Sequence, residues 1–185
     1  MQAVRATTGL VIAYRGEVIP AFYHSSCGGH TEDAALLWGI DLPYLKGVDC
    51  ECQNILRSGL WEKRISTSVI THALKRLGYR MNDISDMYIG ILTPAGRVKE
   101  VSVRNAGKTS IVSGETLRAA LGNNVIPSLF FEVELAGTEA GFSGRGSGHG
   151  VGMCQWGAQE MAQRGYDFKS ILLHYYPGTG FMRIK

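Results

Sequence analysis

Short β-prone runs, separated by turn residues, alternate with a few stretches of helical period along this chain. Residues 10–14 and 18–23 are two such runs joined by Arg15, Gly16 and Glu17, which predicts a hairpin. Pro20 has no N–H for a ladder, so the second run belongs at an edge or a bulge. Residues 33–38 predict a short helix and residues 61–65 a strand. Val69, Ile70, Ala73, Leu74 and Leu77 then recur at helical spacing before Gly78, behind a cap at Ser66 or Thr67. Three strands follow at 86–93, 98–104 and 108–112, with turns at 94–97 and 105–107, which is a meander. Ser113 caps a helix over 114–121 that Gly122 ends, and 129–135 alternates as a strand. A helix from 155 to 164 stops at Gly165, and Asp167 caps a last one through His174 that ends before Pro177. Hairpins and a meander with short helices in irregular alternation predict an α+β fold with a mixed, mainly antiparallel sheet.

One segment fits neither period. From Gly144 to Gly152 glycine occupies every second position, with His149 in the middle and Val151, Met153, Cys154, Gln155 and Trp156 around its end. Interior glycines cost roughly 0.5–1 kcal/mol each relative to alanine, so the run must serve close backbone approach or positive φ angles. A flexible linker would lack the embedded Val, Met, Trp and His and would not lead straight into a helix. A dinucleotide fingerprint is excluded by spacing, because Met153 stands three residues after Gly150 where that motif needs glycine. The expectation is a tight loop that lays backbone N–H groups and His149 against a ligand.

Composition changes this picture little. The 185 residues, 45% hydrophobic, are enough for one domain with a real core. The 24 glycines lie well above the usual ~7% and agree with many tight turns. Lys and Arg number 19 against 16 Asp and Glu with no block of like charge, which gives no argument for nucleic acid. No apolar window is long enough for a membrane span, and no signal peptide is visible at Met1. The opening residues already read as structured, so the chain is expected to be an N-terminally truncated portion of a longer protein.

Cysteine and histidine are clustered. His24, Cys27, His30, Cys50 and Cys52 lie close together, and the only other cysteine is Cys154. These are soft or borderline ligands in more than the number tetrahedral zinc needs. Strand alternation puts His24 and Cys27 on opposite faces, while Gly28 and Gly29 free His30 to turn. The preferred zinc set is therefore Cys27, His30, Cys50 and Cys52, a closed structural site. A disulfide from Cys27 to Cys50 or Cys52 is the alternative in an exported protein. A metal-dependent hydrolase using His24, His30 and His149 with Glu32 as base would instead need an open metal position, and the nearby cysteines argue against it.

Taken in order, the run from Ala21 to Thr31, then Pro43, Tyr44 and Leu45, the run from Gly144 to Ala158, and Ile171 to Thr179 with its His174, Tyr175, Tyr176, Pro177 and Gly178 resemble the stage II sporulation protein D family, which includes the amidase-enhancer proteins of bacterial walls. The likeness spans nearly the whole chain. It implies a single domain of the peptidoglycan lytic transglycosylase type, acting outside the cytoplasmic membrane, in the wall, periplasm or spore-engulfment space, on glycan strands stripped of stem peptides. Some members carry zinc, and other wall hydrolases are possible partners. On this reading His24, Ser25, Ser26, His149 and Gln155 line the sugar groove.

Two features depart from the family pattern. The family's catalytic glutamate lies in an Ala-rich run upstream of the hairpin, and no such run is present, so no catalytic residue is assigned. A lytic transglycosylase needs one carboxyl group to protonate the glycosidic oxygen and then accept a proton from the sugar's own hydroxyl. Glu32, Asp33, Asp49, Glu51 and Glu160 read as solvated or capping side chains and not as replacements. In addition, Cys154 stands where Ser is common and Ser147 where an aromatic residue is frequent. The expectation is glycan binding, with cleavage only if the missing glutamate is supplied. The alternative is a non-catalytic wall-binding or amidase-enhancing module.

Overall fold

A computed structural model of the chain describes residues 2–52 and 59–184. Among them are six helices and eleven strands in chain order. They are α1 (Gln2–Ala6), β1 (Leu10–Tyr14), β2 (Glu17–Val18), β3 (Tyr23–His24), α2 (Ala34–Trp38), β4 (Leu60–Ser66), α3 (Thr67–Arg76), β5 (Ile84–Leu92), β6 (Val98–Asn105), β7 (Lys108–Ser113), α4 (Gly114–Leu121), β8 (Phe131–Ala136), β9 (Glu139–Arg145), β10 (Met153–Cys154), α5 (Gln155–Gln163), α6 (Phe168–Tyr175) and β11 (Gly180–Arg183). The strands form three antiparallel three-stranded sheets, β11-β1-β2, β4-β9-β8 and β5-β6-β7, and one parallel pair, β10-β3. The fold is α+β, and α1 is the one helix of the six that the sequence reading did not give.

The predicted caps form. Ser66 accepts a hydrogen bond from the Val69 N–H, Ser113 from Thr116 and Asp167 from Ser170, each supporting a helix start by about 1 kcal/mol. Asp33 does the same for α2, and Gly39 at φ 71° closes it. The meander is β5-β6-β7, regular between β6 and β7 and with register shifts between β5 and β6 at Ile84/Asp86 and from Ile89 to Leu92.

Two features differ from the sequence reading. The first hairpin is short: Arg15 and Gly16, both at positive φ, turn β1 into β2, which pairs only at Val18 and Glu17. Beyond Pro20 the chain leaves this sheet, and β3 pairs in parallel with β10. The other side of β1 is taken by β11, so the two ends of the chain share a sheet. The second difference is β9, the central strand between β4 and β8, which its glycines hide in the sequence. Gly144 is required there for space: a Cβ would lie 2.3 Å from the Trp61 indole and 2.6 Å from the Phe130 carbonyl.

Buried side chains gather in two clusters. The larger joins α3, α4, the meander and β8-β9 through Ile70, Leu74, Val98, Val101, Leu117 and Phe142. The smaller packs Leu45, Val151, Tyr175 and Tyr176 around all four cysteines, under α2, α5 and α6. Arg97, from the turn between β5 and β6, reaches from the first into the second. Its Nη2 donates to the carbonyls of Cys27 (2.6 Å) and His30 (3.0 Å), and Glu32 lies 3.7 Å from Nη1.

Candidate functional site

The glycine run packs against the segment after the first hairpin, residues more than a hundred positions earlier. Ser26 and Ser147 exchange backbone hydrogen bonds, Met153 donates to Phe22, Glu32 to Gly150 and Trp156 to Ser25. This explains the alternating glycines. At Gly152, φ 71°, a Cβ would stand 2.1 Å from the Phe22 carbonyl oxygen, and at Gly150, φ 87°, 2.5 Å from the Arg97 guanidinium. The close approach read from the sequence is thus an approach to the protein's own backbone and to a buried arginine.

Both histidines of this region are held by that packing. His24 is buried, and its Nδ1–H donates to the Val151 carbonyl at 3.1 Å, leaving Nε2 without a hydrogen-bond partner. Burial pushes its pKa down to about 3, so the ring is neutral. His149 donates from Nε2 to the Tyr23 carbonyl and accepts the Val151 N–H at Nδ1, each at 3.1 Å. Burial lowers its pKa too. With both nitrogens used by backbone, His149 can offer a ligand only its ring, which lies 5.1 Å from Trp38 and 5.5 Å from His24 between centroids.

The serines are placed differently. Ser25, Ser26 and Ser147 line one cavity beside Trp156, whereas Gln155 is an exposed residue at the start of α5 and does not line it. Among the described residues no carboxylate lines this cavity. Of the acidic residues named above, Glu32 is neither solvated nor a cap. It is 1% exposed, accepts the Thr93 hydroxyl at 2.6 Å and the Asp33 N–H at 3.0 Å, and faces Arg97. Asp33 caps α2, and Glu51 and Glu160 pair with Arg164.

The four cysteines are free and buried, and their sulfurs all lie within 4.8 Å of one another. Cys27 and Cys52 approach to 3.4 Å. His30, expected among the ligands, is not in this group. Its Nδ1 donates to the adjacent Thr31 carbonyl and its Nε2 faces Asp49 at 3.8 Å, so Cys154 takes the fourth place instead. Nor do His24, His30 and His149 form a metal group among the described residues.

The surroundings of the thiols divide them, favouring the ionised form at Cys50 and Cys52 and the neutral form at Cys27 and Cys154. Cys154 is the N-cap of α5 and its sulfur accepts the N–H groups of Gly157 (3.4 Å) and Cys27 (3.3 Å). Cys27 accepts the Gly29 N–H, and Cys50 lies 3.2 Å from the Tyr175 hydroxyl. A helix N-terminus and N–H donors lower the cost of a thiolate. Hydrogen bonds from Cys154 and Cys27 pull Cys52 well below the ordinary thiol range, while bonds with Cys154 and the other two push Cys27 up. A divalent cation would complete the group by displacing the remaining thiol protons. Zinc–sulfur bonds of about 2.3 Å in a tetrahedron place sulfurs about 3.8 Å apart, which this spacing matches with small adjustment. The group can therefore hold a metal. Sequence spacing missed Cys154 because it is remote from the other three; its place at the start of α5, where a Ser, Thr or Asp cap is usual, was the available signal.

The family described as a domain of unknown function, DUF8618, matches residues 39–152. An uncharacterized protein of Brachyspira hyodysenteriae (strain ATCC 49526 / WA1) is 34% identical across 96% of this chain and 47% of its own length. Stage II sporulation protein D of Bacillus subtilis (strain 168) is 31% identical, with 96% and 49% covered. The amidase enhancer of the same organism is 27% identical, with 96% and 32% covered. The chain thus spans about half the length, or less, of these relatives. No helix among the described residues is long and apolar enough to cross a membrane. The chain belongs to the DUF8618 domain family and, over nearly its whole length, to the family of stage II sporulation protein D and the amidase enhancer.

Proposed function

We propose that this chain acts on the bacterial cell wall, outside the cytoplasmic membrane, by binding peptidoglycan glycan strands that have lost their stem peptides. The observation that carries the reading is the convergence of the two segments holding the family resemblance. The His24–Ser26 stretch and the glycine run are bridged at Ser26 and Ser147 and open on one cavity with Trp156. The likeness to stage II sporulation protein D and the amidase enhancer supports a wall-related role.

Within the lytic transglycosylase type of chemistry, the residues in hand bind and orient but do not transfer the proton. A general acid must lie within hydrogen-bond reach of the glycosidic oxygen. Among the described residues no carboxylate lines the cavity, and Glu32 is committed to Thr93 and Arg97. Cleavage then requires a glutamate supplied from outside the described residues. The same observation favours a second reading, a non-catalytic module that enhances another wall hydrolase.

Zinc is the metal that best suits four thiolates, and Cys27, Cys50, Cys52 and Cys154 would hold it in a closed structural site. It would supply cross-linking and no open position for chemistry.

Incubating the chain with denuded glycan strands tests the reading. The expected result is saturable binding without release of anhydro-sugar products. Product release would overturn the absence of an acid, and no binding to strands or to whole sacculi would overturn the function.

A further inference from the structure

The meander β5-β6-β7 turns one face, with Met87, Val101 and Val112, into the larger core and leaves the other to solvent. On the outer face the register places Tyr88, Ser102 and Ile111 in one row across the three strands. Asp86 and Arg104 stand in the row on one side of it, Ile91 and Glu100 in the row on the other. The register shift at Gly90 is what brings Ile91 onto the same face as Tyr88. Polar residues are the rule on a solvated sheet face. Here Tyr88 is 41%, Ile91 46% and Ile111 52% exposed, and Ser102 between Tyr88 and Ile111 is 5% exposed. Large apolar side chains gathered on one face mark a surface that another molecule covers. The charges around them are ordered along β6: Glu100 stands two residues before Ser102 and Arg104 two residues after it. Arg104 faces Asp86 at 4.0 Å, with both side chains about half exposed, so its guanidinium keeps donors free.

We propose that two copies of the chain meet on this face, about a two-fold axis that runs across the strands along the row of Tyr88, Ser102 and Ile111. The charge order selects both the occupant and the axis. An axis across the strands lays β6 antiparallel over β6 of the second copy, so Glu100 of each copy meets Arg104 of the other. Tyr88 and Ile111 then meet their own counterparts, and the charged contact is made twice, as a closed dimer requires. An axis along the strands would set Glu100 on Glu100 and Arg104 on Arg104, and like charges disfavour it. Each charge lies about 7 Å from the axis, two residues along a strand. The usual crossing of about 30° between aligned sheets therefore offsets the partners by only about 3–4 Å, within reach of two long side chains. The face is three strands wide, about 14 Å. Each copy thus buries well under the ~800 Å² of a standard interface, and the dimer is a weak one that forms at about 10–100 µM protein. The segments assigned to glycan binding lie outside this face, so the proposal stands independently of that reading.

Sedimentation equilibrium of the full chain over about 10 µM to about 1 mM tests the proposal. The weight-average mass is expected to rise from that of a monomer toward that of a dimer. Tyr88→Asp and Ile111→Asp should remain monomeric over the same range; both positions are exposed, and a thermal melt checks that the variants stay folded. Glu100→Arg sets arginine against Arg104 of the second copy at both contacts, and Arg104→Glu sets glutamate against Glu100. Each is expected to weaken self-association roughly tenfold or more. Mixed in equal amounts, these two variants bring opposite charges together at both contacts, so the mixture should associate about as well as the wild type. A mixture no better than either variant alone, or single variants that associate like the wild type, would overturn the two-fold register. A wild-type chain that stays monomeric throughout, or association that Tyr88→Asp and Ile111→Asp leave unchanged, would overturn the interface itself.

Discussion

His24 shows how one side chain can be fixed by burial and still leave a measurable signature. Desolvation holds its pKa at about 3 when folded, against 6.5 for an imidazole in water. The unfolded chain therefore takes up a proton near pH 6.5 that the folded chain refuses until about pH 3. Stability is fully present above that window and falls as pH drops through it, by at most about 1.4 kcal/mol per pH unit. Between pH 7 and pH 4.5 the loss assignable to His24 is about 2–3 kcal/mol. His24→Gln can still donate to the Val151 carbonyl but does not titrate, so its urea midpoint should change less over this range than the wild type's. Metal release from the thiols acts on both proteins and cancels in the difference; parallel loss in the two would show that His24 is not the buried neutral group described here. His24 and His149 were both legible as positions of note, because they lie in segments whose composition is unusual. Their roles were not, because which ring nitrogen meets which carbonyl depends on a packing of residues far apart in sequence. Arg97 was silent for the same reason: in the sequence it is the last residue of an ordinary turn.

At the scale of elements, caps and hairpins are local and were readable, whereas strands containing glycine were not. β9 escapes a propensity reading since its Gly144 answers to the Trp61 ring on the neighbouring strand, a contact that exists only once β4 and β9 are paired. The glycine run announced itself, but its partner was the protein's own backbone. The same competition between propensity and space can be measured at Gly157, in the first turn of α5. In a helix interior alanine is better than glycine by about 1 kcal/mol, so Gly157→Ala should stabilise α5 on propensity alone. Its Cβ, however, would lie 2.2 Å from the Cys50 sulfur and 2.1 Å from the Tyr175 hydroxyl. Overpacking of this kind costs typically 1–3 kcal/mol and displaces the groups around it. The expected outcome is a variant that melts several degrees lower and binds less metal per chain. A variant that melts at or above the wild-type temperature with full metal content would mean that the thiol cluster has room to spare.

For the whole molecule, the two cores differ in what holds them. The larger has continuous apolar packing between the meander, α3, α4 and β8-β9. The smaller is built around the cysteines, which come from three separate segments, at Cys27, at Cys50 with Cys52, and at Cys154. Closing such long loops is entropically costly, and a metal that joins them stabilises by mass action, because the unfolded chain holds no preformed site. Stripping the proposed metal should therefore act unevenly. Calorimetry with a strong chelator should move the melting transition of the smaller core down by ten degrees or more while a transition for the larger core persists. Hydrogen exchange should show amides of α2, α5 and β10 losing protection before those of β5, β6 and α4. Glycan binding should fall with them, since Ser25 and Ser26 directly precede Cys27 and Trp156 follows Cys154 by two residues. Cys154→Ser should reproduce the effect, and His30→Ala should not, because the His30 ring is turned to Thr31 and Asp49. Should His30→Ala empty the site while Cys154→Ser leaves it filled, the ligand set read from sequence spacing would be restored over the one the fold assembles.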